Sequence, residues 1–107
     1  MKKALKIITG VTLSLLFSHI ASADSLQGKV VNEMNRGVPG LTVSLVHLKI
    51  GRSSPVITDS SGHFSFPNVP PQPDVYYLEV YWGRDLLYSK PVKIQGNMTY
   101  DPIMLRH

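Results

Sequence analysis

The fold of this chain is decided by residues 58–80, which read TDSSGHFSFPNVPPQPDVYYLEV. A turn at Asp59–Gly62 opens into an alternating strand that carries Phe64 and Phe66 on one side. A proline-rich loop then delivers the chain into a second alternating strand that begins at residue 76. This order of turn, strand, loop and strand predicts the middle of a small antiparallel β-sandwich.

The same period of two extends on both sides of this stretch, and no segment shows a helical period. Turn signals rich in Gly, Pro and Asn separate the alternating segments. Seven strands are predicted, over residues 26–31, 41–45, 56–58, 63–66, 75–82, 86–94 and 99–105. We expect Gly51–Pro55 to interrupt the sheet, and we expect Pro67 and the prolines after it to forbid regular pairing as far as Asp74. The sequence therefore predicts an all-β, seven-stranded antiparallel Greek-key sandwich.

The first 23 residues have the layout of a signal peptide. Three lysines precede an apolar run over residues 7–17, and residues 21–23 supply the small-residue pattern Ala-Ser-Ala. A membrane anchor is the alternative, but residues 7–20 fall short of the roughly 20 apolar residues that span a bilayer. We therefore expect cleavage after Ala23, export to the periplasm or the cell exterior, and no transmembrane segment in the remaining chain.

Charge and length narrow the function classes. The chain has 11 Lys+Arg and 7 Asp+Glu, and three of the lysines lie in the predicted signal peptide. The rest of the chain is therefore nearly neutral and lacks the clustered basic surface of a nucleic-acid-binding protein. Residues 24–107 are enough for one domain. Because the chain has no Cys, its stability must come from packing and a complete sheet.

Five short turn and core motifs follow one another along residues 24–107. They are Gly28-Lys29-Val30-Val31; Gly37-Val38-Pro39-Gly40 with Val43; Thr58-Asp59 with Gly62 and Phe64; Asn68-Val69-Pro70; and Tyr76 with Leu78 and Val80. In this order they resemble carboxypeptidase regulatory-like domains, which are transthyretin-like (prealbumin-like) β-sandwiches. The resemblance implies a prealbumin-like fold and a non-catalytic module, since family members are usually attached to larger secreted or outer-membrane proteins. Here we expect a stand-alone domain.

The resemblance also raises enzyme chemistry, which the residues do not favour. Transthyretin-like 5-hydroxyisourate hydrolases carry a C-terminal Tyr-Arg-Gly-Ser motif, whereas this chain ends Ile-Met-Leu-Arg-His. We expect His47, His63 and His107 to be exposed or half-exposed at strand ends, without the spacing of metal ligands. Asp59 offers one carboxylate where calcium needs several oxygens. We predict no catalytic residue, no metal and no cofactor.

Collagen-adhesin relatives suggest a different reaction, an internal Lys–Asn isopeptide bond promoted by a buried acid. Lys29, Glu79 and Asn97 or Asp101 are available for it. Strand alternation, however, places Glu79 opposite the core set, and it places Lys29 on the alternate face from Val30. We therefore expect no crosslink.

One surface feature remains as a candidate site. If Tyr76, Leu78 and Val80 face inward, then Tyr77 and Tyr81 face outward, and they lead to Trp82 and Arg84 at the next hairpin. Aromatic and Arg residues are enriched at binding hot spots, although cross-strand aromatic pairs also simply stabilise sheets. We predict a binding surface of Tyr77, Tyr81, Trp82 and Arg84, extended by Tyr88 unless Pro91 shifts the register.

Two function classes follow from this surface. The first is an interaction module at the cell envelope that binds a protein partner through a sheet face or an edge strand. The second is a carbohydrate-binding module that presents its aromatic residues to a glycan. A hydrolase of the transthyretin-like type comes third.

Overall fold

Residues 23–106 are described by the structure, a computed structural model, and they form strands, turns and loops. The predicted signal peptide and His107 lie outside the described residues, apart from Ala23. The strands are β1 (Asp24–Val31), β2 (Thr42–His47), β3 (Gly51–Arg52), β4 (Val56–Ile57), β5 (His63–Val69), β6 (Tyr76–Trp82), β7 (Asp85–Val92), β8 (Asn97–Thr99) and β9 (Ile103–Met104). Within residues 23–106, no helix is long and apolar enough to cross a membrane.

The strands form two sheets packed face to face. Sheet I has the order β5-β1-β8, and β9 also pairs with β1. Sheet II has the order β3-β2-β6-β7, and β4 also pairs with β2. Pairing is antiparallel except where β8 and β9 run parallel to β1. The predicted all-β sandwich is therefore confirmed, and β7 is one edge of sheet II.

The core lies between the two sheets and follows the predicted alternation. On β6, Tyr76, Leu78 and Val80 are buried, and Leu45 and Val43 of β2 lie opposite the last two. Phe64 and Phe66 of sheet I meet edge to face at 6.2 Å. The other buried apolar residues of the cluster are Leu26, Val30, Leu41, Val69, Val92, Ile94, Ile103 and Leu105. Because each such side chain contributes about 1.5–3 kcal/mol on burial, this cluster supplies the stability that disulfides would otherwise provide.

The Asp59–Gly62 turn joins β4 to β5 and is locked by hydrogen bonds. Asp59 Oδ1 accepts the backbone N–H groups of Ser61 at 2.9 Å and His63 at 3.0 Å. These bonds lower the pKa of Asp59 because they favour its ionised form, and the bond from His63 has the largest effect. Gly62 has a φ of +82°, and a Cβ there would stand 2.3 Å from the carbonyl oxygen of Val30. The turn motif therefore specifies a backbone conformation that side chains resist.

The strand pattern differs from the predicted one in three places, and two of them involve very short strands. Gly51–Arg52 forms β3, a two-residue strand paired with β2, where a break was predicted. The last predicted strand, over residues 99–105, is reduced to β9, while β8 begins at Asn97 in the predicted turn; both pair with β1 in parallel. Both differences arise because very short strands depend on the neighbour they pair with, and local composition does not reveal that neighbour.

Pro67 does not end the strand, contrary to the prediction. β5 continues to Val69, which pairs with Asp24, although the register shifts between this pair and Leu26–Phe66. Because β5 is an edge strand with an irregular register at this point, the missing N–H of Pro67 costs no regular ladder bond. Regular pairing ends only at the prolines that follow Val69.

Candidate binding face

The β6–β7 hairpin carries the most exposed aromatic residue of the predicted site. Trp82 pairs with Asp85 across a two-residue turn of Gly83 and Arg84. Gly83 has a φ of +61°, which suits the first central position of a type II′ turn. The side chain of Trp82 lies beside Gly40, where an added Cβ would stand 3.7 Å from the ring, and Trp82 remains 59% exposed. Trp82 and Arg84 therefore lie at one end of sheet II, in contact with solvent.

Tyr77 and Tyr81 lie on the outer face of sheet II and are half-buried. Glu79 lies between them and holds two donors on its Oε1 atom. Arg52 donates at 2.8 Å and the hydroxyl of Tyr81 donates at 2.9 Å. The bond to Glu79 raises the pKa of Arg52, because it stabilises the charged guanidinium. This network fixes the ring of Tyr81 against the sheet, and Arg52 was not anticipated because its strand was not predicted.

An apolar row crosses sheet II at the Trp82 end. Thr42 of β2 pairs with Ile57 of β4 on one side and with Tyr81 of β6 on the other, and Tyr81 pairs with Leu86 of β7. Ile57 is 58% exposed and Leu86 is 51% exposed. Directly paired residues project from the same side of a sheet. Ile57, Tyr81 and Leu86 therefore form one surface supplied by three different strands, and Trp82, the next residue after Tyr81, lies at the end of this row beside the hairpin.

We call the outward-facing residues Ile57, Tyr77, Tyr81 and Leu86, together with Trp82 and Arg84 at the adjoining hairpin, the aromatic face. The structure brings Tyr81 together with the two aliphatic residues in one row, and Trp82 follows at the strand end. It leaves Tyr77 four residues along β6, a distance of about 13 Å at the rise of an extended strand. Ile57 and Leu86 were missed by sequence reasoning, because the parity of one strand does not show which residues of other strands lie beside it.

Tyr88 does not join the aromatic face, contrary to the prediction. It pairs with the inward-facing Val80, packs against the core and shares a 2.7 Å hydrogen bond with the hydroxyl of Tyr100. Burial and this bond raise the pKa of Tyr88. The cause is a register shift after Val80, which places Leu86 opposite Tyr81 and leaves Leu87 as an extra residue. The predicted source of a shift, Pro91, pairs regularly with Tyr77.

The histidines also differ from the prediction. His63 is exposed as expected, but His47 is only 2% exposed and meets the ring of Tyr76 edge to face at 5.1 Å. Its Nδ1 accepts the N–H of Lys49, so Nε2 carries the proton, and it has no partner among the described residues. His47 is buried because β2 continues its inward alternation through residue 47. Among residues 23–106, no three His, Asp or Glu side chains are grouped to hold a metal ion.

The residues considered for an isopeptide crosslink lie apart. Lys29 pairs with His63 on sheet I, whereas Glu79 is bound to Arg52 on the outer face of sheet II. The side-chain oxygen of Asn97 accepts the hydroxyl of Ser25. Lys29 and Glu79 therefore belong to different sheets, and the geometry that such a bond requires is missing among the described residues.

The two packed sheets form an all-β sandwich, and its similarity to a solved hydrolase structure, given below, makes the fold transthyretin-like (prealbumin-like). The sequence profile of the carboxypeptidase regulatory-like domain matches residues 25–97. The chain belongs to this family, as the order of its motifs indicated. A comparison with curated proteins finds none that matches.

Solved structures agree with this fold. The chain is similar to the 5-hydroxyisourate hydrolase of Klebsiella pneumoniae, with 14% identity and a TM-score of 0.59 over 78% of this chain and 87% of the hydrolase. It is similar to the TIE protein of Bacillus anthracis, with 14% identity and a TM-score of 0.62 over 80% of this chain and 17% of that chain. It is also similar to the dioxygenase domain of a dioxygenase carbohydrate-binding protein fusion from Streptomyces sp. SirexAA-E, with 10% identity and a TM-score of 0.51 over 77% of this chain and 78% of that chain. At such identities the similarity shows the fold alone.

Proposed function

We propose that this protein is an exported, non-catalytic module that binds another protein through the aromatic face. The observation that carries the proposal is the row of Ile57, Tyr81 and Leu86 beside Trp82, in which three of the four side chains are more than half exposed. Grouped exposed apolar side chains mark interaction sites more often than single ones do. Trp and Tyr with a neighbouring Arg are the residue types of binding hot spots.

The face is a better candidate for binding than the edge of β7. Three devices that discourage strand addition occur on this edge: the register shift near Leu87, the charge of Lys90 and the missing N–H of Pro91. Lys90 pairs with the inward-facing Leu78, so its charge is directed to the inner side of the sheet edge. A partner strand added at this edge would find an irregular row of backbone hydrogen-bonding groups. Binding through the aromatic face uses side chains, and these three features do not obstruct it.

A non-catalytic role is supported by the positions of the titratable groups. His47 is buried against Tyr76, and His63 lies on the opposite sheet beside Asp59. The carboxylate of Asp59 is engaged by backbone N–H groups of its own turn, and that of Glu79 is engaged by Arg52 and Tyr81. These groups are held in structural contacts, and none of them pairs a base with a nucleophile.

Carbohydrate binding is the second candidate, and one observation favours it. Tyr77 and Tyr81 flank Glu79 on the outer face, so a carboxylate and a guanidinium lie between two aromatic rings. Polar groups placed beside aromatic rings suit the two sides of a sugar ring. The exposed Ile57 and Leu86 supply no hydrogen bonds, however, and they fit a protein surface better.

Export is part of the proposal and rests on residues 1–23. The N-terminal residue of the protein recovered from the periplasm or the medium decides it by mass spectrometry. An N-terminus at Asp24 supports export with cleavage, and a full-length chain retained in the cytoplasm contradicts it.

Site-specific photocrosslinking tests the binding face in living cells. A photoreactive residue at position 86 lies within the face, and one at position 48 is the matched control, because Leu48 is 83% exposed at the opposite end of β2. We expect one discrete protein adduct from position 86 and none from position 48. Equal adducts from both positions, or none from position 86, would contradict a protein-binding face. A parallel glycan array decides between protein and sugar.

A further inference from the structure

The outer face of sheet I carries a groove that the proposed function does not use. Its volume is about 640 Å³, within the roughly 300–1,000 Å³ that ligand sites occupy. It crosses β5, β1 and β8 and is bounded by Ile57 and Pro102. The aromatic face lies on the other sheet, and Ile57, at the edge between the sheets, is the one residue that the two surfaces share.

Short hydrogen-bonding side chains line the middle of this groove. Gln27 pairs with Ser65 of β5 on one side and with Thr99 of β8 on the other, so an amide and two hydroxyl groups lie in one row across three strands. The only contact among these three side chains is a long one of 3.3 Å, from Gln27 Nε2 to Thr99 Oγ1. A ligand with hydroxyl groups can replace this weak contact with better hydrogen bonds.

The next row holds the charge of the groove. Lys29 pairs with His63, which places the two side chains beside each other on the outer face. Among the described residues, Lys29 takes part in no ion pair. His63 Nδ1 lies 3.9 Å from Asp59 Oδ1, so the negative charge of Asp59 is at the His63 end. A negatively charged group is therefore favoured at Lys29, away from Asp59.

We propose that this groove binds a small ligand that carries both a carboxylate and several hydroxyl groups, such as a sugar acid. Lys29 receives the carboxylate, since an ammonium group and a carboxylate form a charge-assisted hydrogen bond. Gln27, Ser65 and Thr99 bind the hydroxyl groups of the ligand, because each of these side chains can both donate and accept a hydrogen bond. Ile57 and Pro102 enclose the apolar edge of the sugar ring at the two ends.

The ligand class follows from this combination of groups. A neutral sugar leaves the charge of Lys29 without a partner, and a simple carboxylate leaves the row of Gln27, Ser65 and Thr99 unused. The inference does not depend on the aromatic face, because the two surfaces share Ile57 alone. A failure at one surface therefore leaves the other standing.

Titrations of the isotope-labelled exported protein test this proposal by NMR. The probes are D-glucuronate, D-glucose as its neutral match, and acetate as a carboxylate without hydroxyl groups. We expect glucuronate to shift the amides of β1, β5 and β8 with a dissociation constant of about 1 mM, an affinity typical of few contacts. Glucose and acetate should bind at least about tenfold more weakly, since each lacks one set of these contacts.

The matched variants are Lys29→Met and Lys90→Met. The first removes the charge from the groove and keeps the length of the side chain, and the second removes an exposed charge from sheet II. Lys29→Met should weaken glucuronate binding about tenfold, the loss expected for one charge-assisted hydrogen bond, and Lys90→Met should leave it unchanged. The proposal fails if glucuronate causes no shifts at about 20 mM, if its shifts fall on sheet II, or if Lys29→Met binds it like the wild type.

A titration with a short oligouronate distinguishes a polymeric ligand from a free sugar acid. Tighter binding than glucuronate assigns a chain of sugar acids, and equal binding assigns a free one. Both results support the proposal, provided that the chemical-shift changes fall on sheet I in each case. Shifts that Trp82→Ala abolishes would contradict it, because they would place the ligand on the aromatic face.

Discussion

Two glycine turns of this chain look alike in sequence and differ in their surroundings. Asp59–Gly62 and Trp82–Asp85 both join consecutive strands and both contain a glycine with a positive φ. Around Gly62 the backbone of Val30 and of Gly37 lies within 3 Å of an added Cβ, whereas around Gly83 nothing lies within 4 Å. The first turn is enclosed by the fold and specifies it. The second is open to solvent and leaves Trp82 and Arg84 free for contact.

The largest expected effect is on the enclosed turn. Gly62→Ala puts a methyl group 2.3 Å from the carbonyl oxygen of Val30 at a φ of +82°, so the backbone must move. We expect a loss of several kcal/mol, a large part of the roughly 5–15 kcal/mol that stabilises a domain. Gly83→Ala pays only for the left-handed conformation, about 1–2 kcal/mol. Urea unfolding of both variants measures the difference, and equal losses would contradict the comparison.

A smaller effect on stability is expected for two tyrosines, one of which is enclosed by the fold and one of which lies on the outer face. Tyr88→Phe removes the partner of the Tyr100 hydroxyl at a partly buried position, with an expected cost of about 1 kcal/mol. Tyr81→Phe removes one of the two donors of Glu79 on the outer face and should change stability by less than about 0.5 kcal/mol. The double variant Tyr88→Phe with Tyr100→Phe is the control, because it leaves no hydroxyl unpaired. A larger loss for Tyr81→Phe than for Tyr88→Phe would reverse this assignment.

The Asp59 turn also predicts a pH dependence. Its backbone hydrogen bonds lower the pKa of Asp59 from 3.8 in the folded state. The stability that the carboxylate contributes is therefore fully present above about pH 4 and is lost as the pH falls through the lowered pKa. Asp59→Asn keeps an acceptor oxygen without the charge and should remove this part of the acid destabilisation. Thermal melts of both proteins between about pH 2 and 6 check it, and parallel curves would be the contrary result.

Strand parity was enough to predict the inward-facing residues of β5 and β6 from the sequence. Tyr76, Leu78 and Val80 alternate with polar or half-exposed residues on a long strand, and Phe64 and Phe66 do the same. Their burial follows from a period of two that no neighbour alters. The turn at Gly62 could also be predicted, because Asp and Gly at this spacing are typical of a turn.

The exterior was predicted only in part, since it depends on register between strands. Leu86 reaches the row of Tyr81 through a register shift that no local residue announces, and the same shift turns Tyr88 inward. Ile57 lies in that row because a two-residue strand pairs with β2. The groove at Lys29 was missed for the same reason, as its residues come from strands that are distant in sequence.

The central claim, that the aromatic face binds a partner, is tested at Trp82 and Tyr81. Trp82→Ala combined with Tyr81→Ala removes two aromatic residues of the aromatic face, whereas Leu48→Ala removes an exposed apolar side chain elsewhere. Pull-downs with the wild type and both variants, each shown to be folded by its thermal melt, compare the recovered partner. The proposed role predicts that the partner of the wild type is retained by Leu48→Ala and lost by the double variant. Retention of that partner by the double variant would contradict it.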